Sequence, residues 1–321
     1  MRLGVFTPVF GAYTLEEALK FLTDEDVHDI ELGAGGFPGK KHANPEELLN
    51  SPEKLDEMKA LFEKYDIRVQ AVSAHGNPLH PQKDKARQFD ADFKNAILLA
   101  EKIGVDTIVG FSGCPGDSDG SKYPNWVTCA WPEDFPEILD YQWNEVAIPY
   151  WRETAAFAEK HGIKKIAFEM HPGFLVYNPE TLLRLRAAVG DIIGANFDPS
   201  HLFWQGIDPV AAIRALGSAI HHFHAKDTLI DNANCAVNGV LDSKNLGNVA
   251  ERSWVFRTVG YGHDKKLWND IISALKTVGY DGIVSIEHED ALMSPEEGLK
   301  KAIKFLKDVL IYESAGDMWW I

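Results

Sequence analysis

Two patterns of hydrophobic positions alternate from one end of the chain to the other. Short, nearly continuous apolar runs such as residues 105–111 are typical of strands buried on both faces, as in parallel sheets. Longer stretches such as residues 52–65 place Leu55, Met58 and Phe62 on one face, at the spacing of an amphipathic helix. Eight repeats of a strand followed by a helix predict an α/β fold, a single (β/α)8 barrel of the TIM type.

The pattern gives approximate limits for each element. Predicted strands cover residues 3–7, 27–32, 67–73, 105–111, 164–169, 192–198, 220–224 and 282–287. Predicted helices cover residues 15–22, 52–65, 86–103, 143–161 and 179–189, a stretch starting near residue 209, and residues 267–278 and 295–312. One domain is expected over residues 1–321, because α/β barrels of this length commonly form a single unit.

Two segments that follow strands are much longer than the ~2–6 residues usual between a strand and a helix. They span about residues 112–141, after the fourth strand, and about residues 227–263, after the seventh. Because ligands bind at the carboxyl ends of barrel strands, both inserts are expected over the site, as lids or as contacts between subunits. The tail at residues 313–321 ends in Met-Trp-Trp-Ile, which we expect to dock on this subunit or on a neighbour in a homo-dimer or tetramer.

The composition restricts the choice of partners. Hydrophobic residues make up 45% and charged residues 25% of the chain, the profile of a globular protein with a full core. The net charge of −16 repels phosphate backbones and anionic lipids, so we expect neither nucleic acid nor a membrane as a partner. The three cysteines show no CxxC spacing, and no apolar stretch approaches the ~20 residues of a membrane span. Since the chain opens on a strand-like segment rather than a basic leader, it is expected in the cytoplasm.

Four apolar runs in the second half of the chain each end on a residue type that binds metals. Glu169 follows IAF, Asp198 follows IIGANF, His224 follows residues 220–223, and Glu287 follows GIVSI. In a parallel barrel these positions converge on one face. Three carboxylates and one neutral imidazole suit a hard or borderline divalent cation. A cation there would polarise a substrate carbonyl and stabilise the enediolate formed when a carboxylate removes the neighbouring proton.

With the motifs EMHP, FDPSH, HAKD and IEHED at these strand ends, the chain resembles the xylose isomerase-like superfamily of TIM barrels over essentially its whole length. The resemblance is in particular to the sugar isomerase and epimerase branch, which includes ketose 3-epimerases and inosose dehydratase. It implies that Glu169, Asp198, His224 and Glu287 bind one divalent ion, with Mn²⁺ favoured and Mg²⁺, Co²⁺ or Zn²⁺ as alternatives.

The resemblance also implies the catalytic groups. In the related epimerases the glutamates that match Glu169 and Glu287 form an acid/base pair as well as binding the metal, and we expect both roles here. Return of the proton to the opposite face of the same carbon gives an epimer, and transfer to the adjacent carbon gives an isomer. The expected reaction is therefore isomerisation or epimerisation of a ketose or keto-sugar, a small carbohydrate, with both outcomes open.

Four further residues are candidates for substrate contacts. His201, in the FDPSH motif, matches a family histidine that binds substrate or a second metal. Arg257 matches by position an arginine that contacts substrate oxygens in some relatives. His75 follows the third strand at the same mouth, and His171 lies in the EMHP motif beside the first ligand.

Charged residues next to these motifs are given supporting roles. Lys226 and Asp227 are expected to form a supporting pair or to anchor a loop, and Glu289 and Asp290 to be loop carboxylates in solvent. A single glutamate at one strand end is more often a cap or an ion-pair partner than a ligand. The metal interpretation therefore depends on four such residues occurring together.

Three other functions compete with this interpretation. A lyase or dehydratase acting on a keto-sugar, a keto-cyclitol or an oxidised C-glycoside begins with the same proton removal and then expels a leaving group, and it is the main alternative. An endonuclease of the related three-zinc family is disfavoured, since residues 111–113 read FSG without a histidine and the net charge is −16. A non-catalytic sugar-binding protein is disfavoured because all four ligand positions and the acid/base pair are present.

Overall fold

The computed structural model describes residues 1–321 and contains a closed barrel of eight parallel strands. Ten strands occur along the chain: β1 (Arg2–Phe6), β2 (Asp29–Gly36), β3 (Arg68–His75), β4 (Thr107–Gly110), β5 (Lys165–Glu169), β6 (Ile193–Phe197), β7 (Ile220–Ala225), β8 (Asp227–Ile230), β9 (Trp254–Arg257) and β10 (Ile283–Ile286). The order around the barrel is β1-β10-β7-β6-β5-β4-β3-β2, and all neighbouring strands are parallel. The predicted (β/α)8 barrel is confirmed.

Helices surround this barrel. They are α1 (Leu15–Asp24), α2 (Pro45–Asn50), α3 (Pro52–Lys64), α4 (Lys83–Ile103), α5 (Asp134–Asp140), α6 (Ile148–Lys160), α7 (Pro179–Val189), α8 (Pro199–Phe203), α9 (Pro209–Leu216), α10 (Asn232–Asn238), α11 (Lys265–Thr277) and α12 (Pro295–Val309). Local sequence sets several starts: Thr14 and Glu17 form a capping box at α1, and the Ser294 side chain accepts a hydrogen bond from Glu297 N at α12. None of the twelve combines the length and hydropathy that crossing a lipid bilayer requires.

The structure differs from the predicted limits in several places. β2 was expected to end at Leu32, but it continues through its glycines to Gly36. The absence of side chains there allows neighbouring residues to pack closely, since a Cβ at Gly35 would lie 3.0 Å from Asp92 Cβ. The helices α2 and α8 were missed because they have 6 and 5 residues, too few to show helical periodicity. The helix expected from residue 143 starts earlier, at α5, and reaches α6 through a π-helical segment.

Large apolar side chains fill the space between the barrel and its helices. Trp151 in α6 has no exposed surface, and its ring lies 5.3 Å from that of Phe93 in α4 and 4.4 Å from that of Phe168 in β5, measured between centroids. Its Nε1 donates a hydrogen bond to the backbone oxygen of Ser112 at 2.8 Å. This contact ties the start of the first insert to the helical layer.

The second insert folds into a hairpin rather than an open loop. β8 and β9 pair antiparallel, and α10 lies between them in sequence. Asp227, the first residue of β8, closes the base, because its Oδ2 accepts hydrogen bonds from the backbone N–H groups of Gly260 at 3.0 Å, Gly262 at 3.1 Å and His263 at 3.0 Å. The fully buried Asp227 carboxylate therefore ties the two ends of this insert to each other.

Residues 313–321 extend away from the rest of the chain. Trp319 is 87% exposed and Trp320 is 67% exposed. Docking was expected on this subunit or on a neighbour, and within this single chain these rings are uncovered. Docking on a neighbouring subunit stays a prediction.

Candidate active site

The four predicted metal ligands lie together at the carboxyl ends of barrel strands. Glu169 is the last residue of β5, Asp198 follows β6, His224 lies in β7 and Glu287 follows β10. One ligand atom from each lies within 4.8 Å of those of the other three. The side chains are buried except for that of Glu287, which is 15% exposed. The topology explains the grouping, since these four strands are successive neighbours around the barrel.

This donor set fits a divalent cation. Asp198 Oδ1 accepts a hydrogen bond from Ser200 N at 2.8 Å and so caps α8, whereas its buried Oδ2 makes no hydrogen bond. This oxygen lies 3.2 Å from Lys226 Nζ and 3.2 Å from His201 Nε2. The three ligand carboxylates outnumber the two cations that face them, the Lys226 ammonium and the His201 imidazolium, and the excess negative charge attracts a metal cation. Oxygen donors with one imidazole suit a hard or borderline metal ion.

A buried glutamate that the sequence interpretation missed orients His224. Glu31, in the middle of β2, has no exposed surface, and its Oε2 lies 2.7 Å from His224 Nε2 and 2.9 Å from His222 Nε2. The other ring nitrogen of His224, Nδ1, lies 3.2 Å from Glu287 Oε2. His224 thus presents Nε2 to Glu31 and Nδ1 to the ligand cluster. A carboxylate behind a metal-binding histidine fixes its tautomer and ring orientation in this way.

The charges of Glu31 and His224 stabilise each other. Burial alone would raise the pKa of the Glu31 carboxyl, but the His224 and His222 imidazoles outweigh burial and hold this pKa well below its usual range. Burial alone would lower the pKa of His224, but Glu31 and Glu287 outweigh it and hold this pKa well above its usual range. In the metal-free protein His224 is therefore protonated at neutral pH, and it must lose a proton before Nδ1 can bind a cation.

Two other groups of side chains have spacings suited to a metal ion. They are Glu31 with His222 and His224, and Glu169 with His171 and His201. In the first group, Glu31 is already engaged by both imidazoles. In the second group, His201 Nε2 lies 2.8 Å from Glu169 Oε1, at direct hydrogen-bond distance. Each group shares one residue with the four-ligand cluster, which offers the larger number of donors.

Lys226 brings a positive charge into the same site. Its side chain is 2% exposed, and Nζ lies 2.7 Å from Glu287 Oε2 and 3.0 Å from Glu289 Oε2. The ammonium also lies 4.6 Å from the centroid of the Phe256 ring. Burial alone would lower its pKa, but Asp198 and Glu287 outweigh burial and hold it well above its usual range. Lys226 is therefore a charged group in direct contact with two of the predicted ligands, a larger role than a supporting pair.

Three of the predicted substrate contacts surround Glu169. His75 Nε2 lies 3.3 Å from Glu169 Oε2, and neither ring nitrogen of His75 makes a hydrogen bond. Burial alone would lower the pKa of His201, but Asp198 and Glu169 outweigh it and raise this pKa to about 9. Burial and the neighbouring His201 lower the pKa of His171 to about 3. The site therefore contains a proton-carrying imidazole, a neutral one, and a third with both nitrogens free.

The structure does not bring Arg257 into this group. Arg257 lies in β9, and its Nε donates a hydrogen bond to Asp290 Oδ2 at 3.1 Å. Asp290 also accepts a hydrogen bond from Thr258 N at 2.8 Å and is buried, so the expectation that it is a solvated carboxylate is wrong. The side chain of Glu289 is 52% exposed, in keeping with its expected place in solvent. Arg257 and Asp290 hold the hairpin against the loop after β10.

The ligand cluster opens into a cavity of about 560 Å³, which we call the mouth cavity. Glu169, Glu287 and Lys226 line it, together with the aromatic rings of Phe6, Phe37, Phe111 and Phe174 and the imidazoles of His75, His171 and His288. The rings of Phe111 and Phe174 stack at a centroid distance of 4.2 Å. Charged groups beside aromatic faces suit a small polar molecule that also has an apolar face.

Comparisons with known proteins place the chain in a family. The model of the family described as xylose isomerase-like TIM barrel matches residues 30–309. The uncharacterised protein YfiH of Bacillus subtilis (strain 168) is 42% identical over 312 residues, which are 97% of this chain and 99% of YfiH. The structure of the IolI protein with a bound zinc atom is similar with a TM-score of 0.67 and 21% identity, over 97% of this chain and 98% of IolI. The structure of D-psicose 3-epimerase in the presence of D-fructose has a TM-score of 0.63 and 15% identity, over 97% of this chain and 99% of the epimerase. This chain belongs to the xylose isomerase-like TIM barrel family.

Proposed function

We propose that the protein is a divalent-metal-dependent isomerase or epimerase that acts on a ketose or keto-sugar. The observation that carries the proposal is that Glu169 and Glu287 line one cavity from strands separated by two others, β6 and β7. A substrate bound between them has a carboxylate on each side. Two-sided proton transfer at one carbon requires such a pair, and transfer between neighbouring carbons can use either member of it.

The side chains suggest an order for the proton transfers. A divalent cation in the cluster would polarise the substrate carbonyl and acidify the neighbouring C–H bond. Glu287 is the better base, because its carboxylate is the more exposed of the two, whereas the imidazoles around Glu169 outweigh its burial and hold the pKa of that carboxyl well below its usual range. Glu169 lies 2.8 Å from the His201 imidazolium, which supplies the proton that Glu169 returns to the other face. His75, whose Nε2 faces Glu169 and whose Nδ1 has no partner, is positioned to bind a substrate hydroxyl.

The relatives support this chemistry at the level of the family. The family is named after an isomerase of a sugar. One similar structure is that of D-psicose 3-epimerase, and another, IolI, holds zinc. Mn²⁺ is our first choice of ion, since three carboxylates favour a harder cation than thiolate-rich sites do.

A lyase reaction on a keto-sugar is the second candidate, and the cations at the site favour it. Lys226 and His201 both carry protons at neutral pH, because the neighbouring carboxylates raise the pKa of each group. Either group could protonate a leaving group on the carbon next to the one that Glu287 deprotonates. Proton removal would then lead to elimination rather than to return of the proton.

Hydrogen exchange distinguishes these reactions. We suggest incubating the Mn²⁺-loaded protein in D₂O with a panel of ketoses and 3-keto-glycosides and following the products by proton NMR. Deuterium next to the carbonyl, with all substituents retained, supports the isomerase or epimerase. Loss of water or of another substituent selects the lyase. No exchange on any of these compounds at full metal occupancy contradicts both.

Glu287→Gln tests the proposed base. The variant should lose about 100-fold or more in exchange rate, which is the usual contribution of a general base. Glu289→Gln is the matched control, because this half-exposed carboxylate also contacts Lys226 but belongs to no ligand group. Metal content must be measured for both variants, since Glu287 is also a predicted ligand. Full exchange by metal-loaded Glu287→Gln would exclude it as the base.

A further inference from the structure

A second cavity adjoins the mouth cavity on the side of α4. It has a volume of about 490 Å³, and we call it the annex. Phe37 and Phe174 line both cavities, so the two adjoin at these rings. Phe89 and Lys85, both from α4, line the annex away from the ligand cluster. The whole space is larger than a single sugar ring needs, since pockets of about 300–1,000 Å³ enclose drug-sized molecules.

A series of aromatic rings leads from the ligand cluster into the annex. His75 lies 3.3 Å from Glu169, and its ring centroid is 4.8 Å from that of Phe111. The Phe111 centroid is 6.4 Å from that of Phe37, which in turn is 5.0 Å from that of Phe89. These distances lie in the range of direct aromatic contacts. A flat apolar group therefore meets aromatic rings along the whole path.

The backbone fixes Phe37 at the junction of the two cavities. Gly36 has a φ of +76°, and a Cβ at this position would lie 2.0 Å from the backbone oxygen of His75. The next residue, Phe37, donates a backbone hydrogen bond to the same oxygen at 2.6 Å. The Phe37 side chain is nevertheless 62% exposed. An aromatic ring held by a rigid turn and left open to a cavity is available for stacking.

Polar side chains of the annex are largely engaged by the protein itself. Asn77 Nδ2 donates to the backbone oxygen of Cys114 at 3.0 Å, and Gln88 Nε2 donates to Asp92 Oδ1 at 3.3 Å. Lys85 forms no ion pair and is the free charge at this end. A second sugar unit, which brings several hydroxyl groups, finds few free partners here. An aromatic ring finds phenylalanine rings and, at its far end, one ammonium.

We propose that the annex binds an aryl substituent attached to the keto-sugar, so that the preferred substrates are aryl keto-glycosides rather than free ketoses. This inference rests on the proposed function, in which the sugar ring lies at the ligand cluster. The aryl group stacks on Phe37 and Phe89, and an acidic substituent on its ring faces Lys85. The annex thus sets the substrate class, whereas the cluster sets the reaction.

Binding of matched glycosides tests the annex without requiring any reaction. We suggest calorimetry of the Mn²⁺-loaded protein with methyl and 4-nitrophenyl β-glycosides of D-glucose and D-galactose. At least one 4-nitrophenyl glycoside should bind about tenfold or more tightly than its methyl partner. Phe37→Ala should remove most of this difference, about threefold to tenfold, as expected for one aromatic contact. Because Phe37 is exposed, its truncation should leave folding intact. Lys85→Met gives a second test, because it should weaken the binding of 4-carboxyphenyl glycosides.

Leu246→Ala is the control variant. Leu246 is 58% exposed and lines a different cavity, of about 390 Å³, that shares only His288 and Glu289 with the mouth cavity. It should leave both affinities unchanged. Equal binding of methyl and aryl glycosides, no binding of either, or an aryl preference that survives both Phe37→Ala and Lys85→Met would overturn the annex proposal.

The two proposals can fail separately. Aryl preference in binding without deuterium exchange on any keto-sugar would contradict the proposed reaction and leave the annex assigned. Deuterium exchange with free ketoses that is no slower than with aryl keto-glycosides would contradict the annex and leave the reaction in place.

Discussion

Glu31→Gln should weaken Mn²⁺ binding while the barrel stays folded. The buried Glu31 carboxylate lies 2.7 Å from His224 Nε2 and 2.9 Å from His222 Nε2. An amide keeps the shape of the side chain but replaces charge-assisted hydrogen bonds by bonds about half as strong. Outer partners of metal-binding histidines typically contribute about 10–100-fold in affinity. Because Glu31 also holds the competing proton on His224, the affinity is corrected for proton release, and the resulting pH-independent dissociation constant for Mn²⁺ should rise by about this factor, or about 1.4–2.7 kcal/mol.

The assay is calorimetric titration of Mn²⁺ into the metal-free wild type and variants in the same buffer. Ser285→Ala is the matched control, because Ser285 Oγ donates to the same Glu31 Oε2 at 3.0 Å and its loss keeps the charge. Its effect on affinity should stay below about threefold, since only one ordinary hydrogen bond is removed. Thermal unfolding shows whether each protein is folded. If folded Glu31→Gln binds Mn²⁺ as tightly as the wild type, Glu31 does not orient His224.

Three further predictions concern protonation, charge and packing. Mn²⁺ binding at neutral pH should release a proton, because the pKa of metal-free His224 is raised well above its usual range and the bound imidazole must be neutral. The affinity for Mn²⁺ should therefore fall as the pH falls. Calorimetry in buffers of different ionisation enthalpy measures the number of protons released. Lys226→Met should tighten Mn²⁺ binding, because it removes a competing cation, and weaker binding would contradict the charge argument. The same variant should lower the free energy of unfolding of the metal-free protein by about 3–5 kcal/mol, measured in urea. Trp151→Ala should lower the free energy of unfolding by about 3–5 kcal/mol, whereas Trp131→Ala, at a site 75% exposed, should change it by no more than about 0.5 kcal/mol.

The barrel and the group of four ligands could be predicted from sequence because both depend on local patterns. Each ligand follows directly on an apolar run, and a parallel barrel brings all such strand ends to one face. Glu169 and Glu287 are 118 residues apart in numbering, yet the rule places them together without any knowledge of packing. Whether they bind a metal and move protons stays a prediction.

Other parts of the site have no local signal. Glu31 lies inside an apolar strand rather than at its end, and its partners His222 and His224 are 191 and 193 residues away. Its one trace in the sequence is a lone carboxylate between Ile30 and Leu32, which a buried strand does not tolerate unless it is paired.

The burial of acidic side chains near the site also could not be predicted from local sequence patterns. Asp290 reads as one acid among several in the string IEHED. It is buried because Arg257, on the hairpin of the second insert, reaches its carboxylate. The contact exists only once the hairpin has folded, and the hairpin itself was read as a loop. Lys226 was underestimated for the same reason, since its carboxylate partners come from different strand ends.

The Asp227 carboxylate at the base of the hairpin has a consequence for how this protein can change. Because one side chain holds the entry and the exit of the insert, the outer residues 232–248, none of which is buried, are separated from the barrel. We expect that exposed part to tolerate exchange or lengthening, whereas Phe256 and Arg257, which contact Lys226 and Asp290, belong to the site. New specificities can therefore be grafted onto this scaffold one insert at a time, provided that the aspartate and the glycine amides it binds are kept.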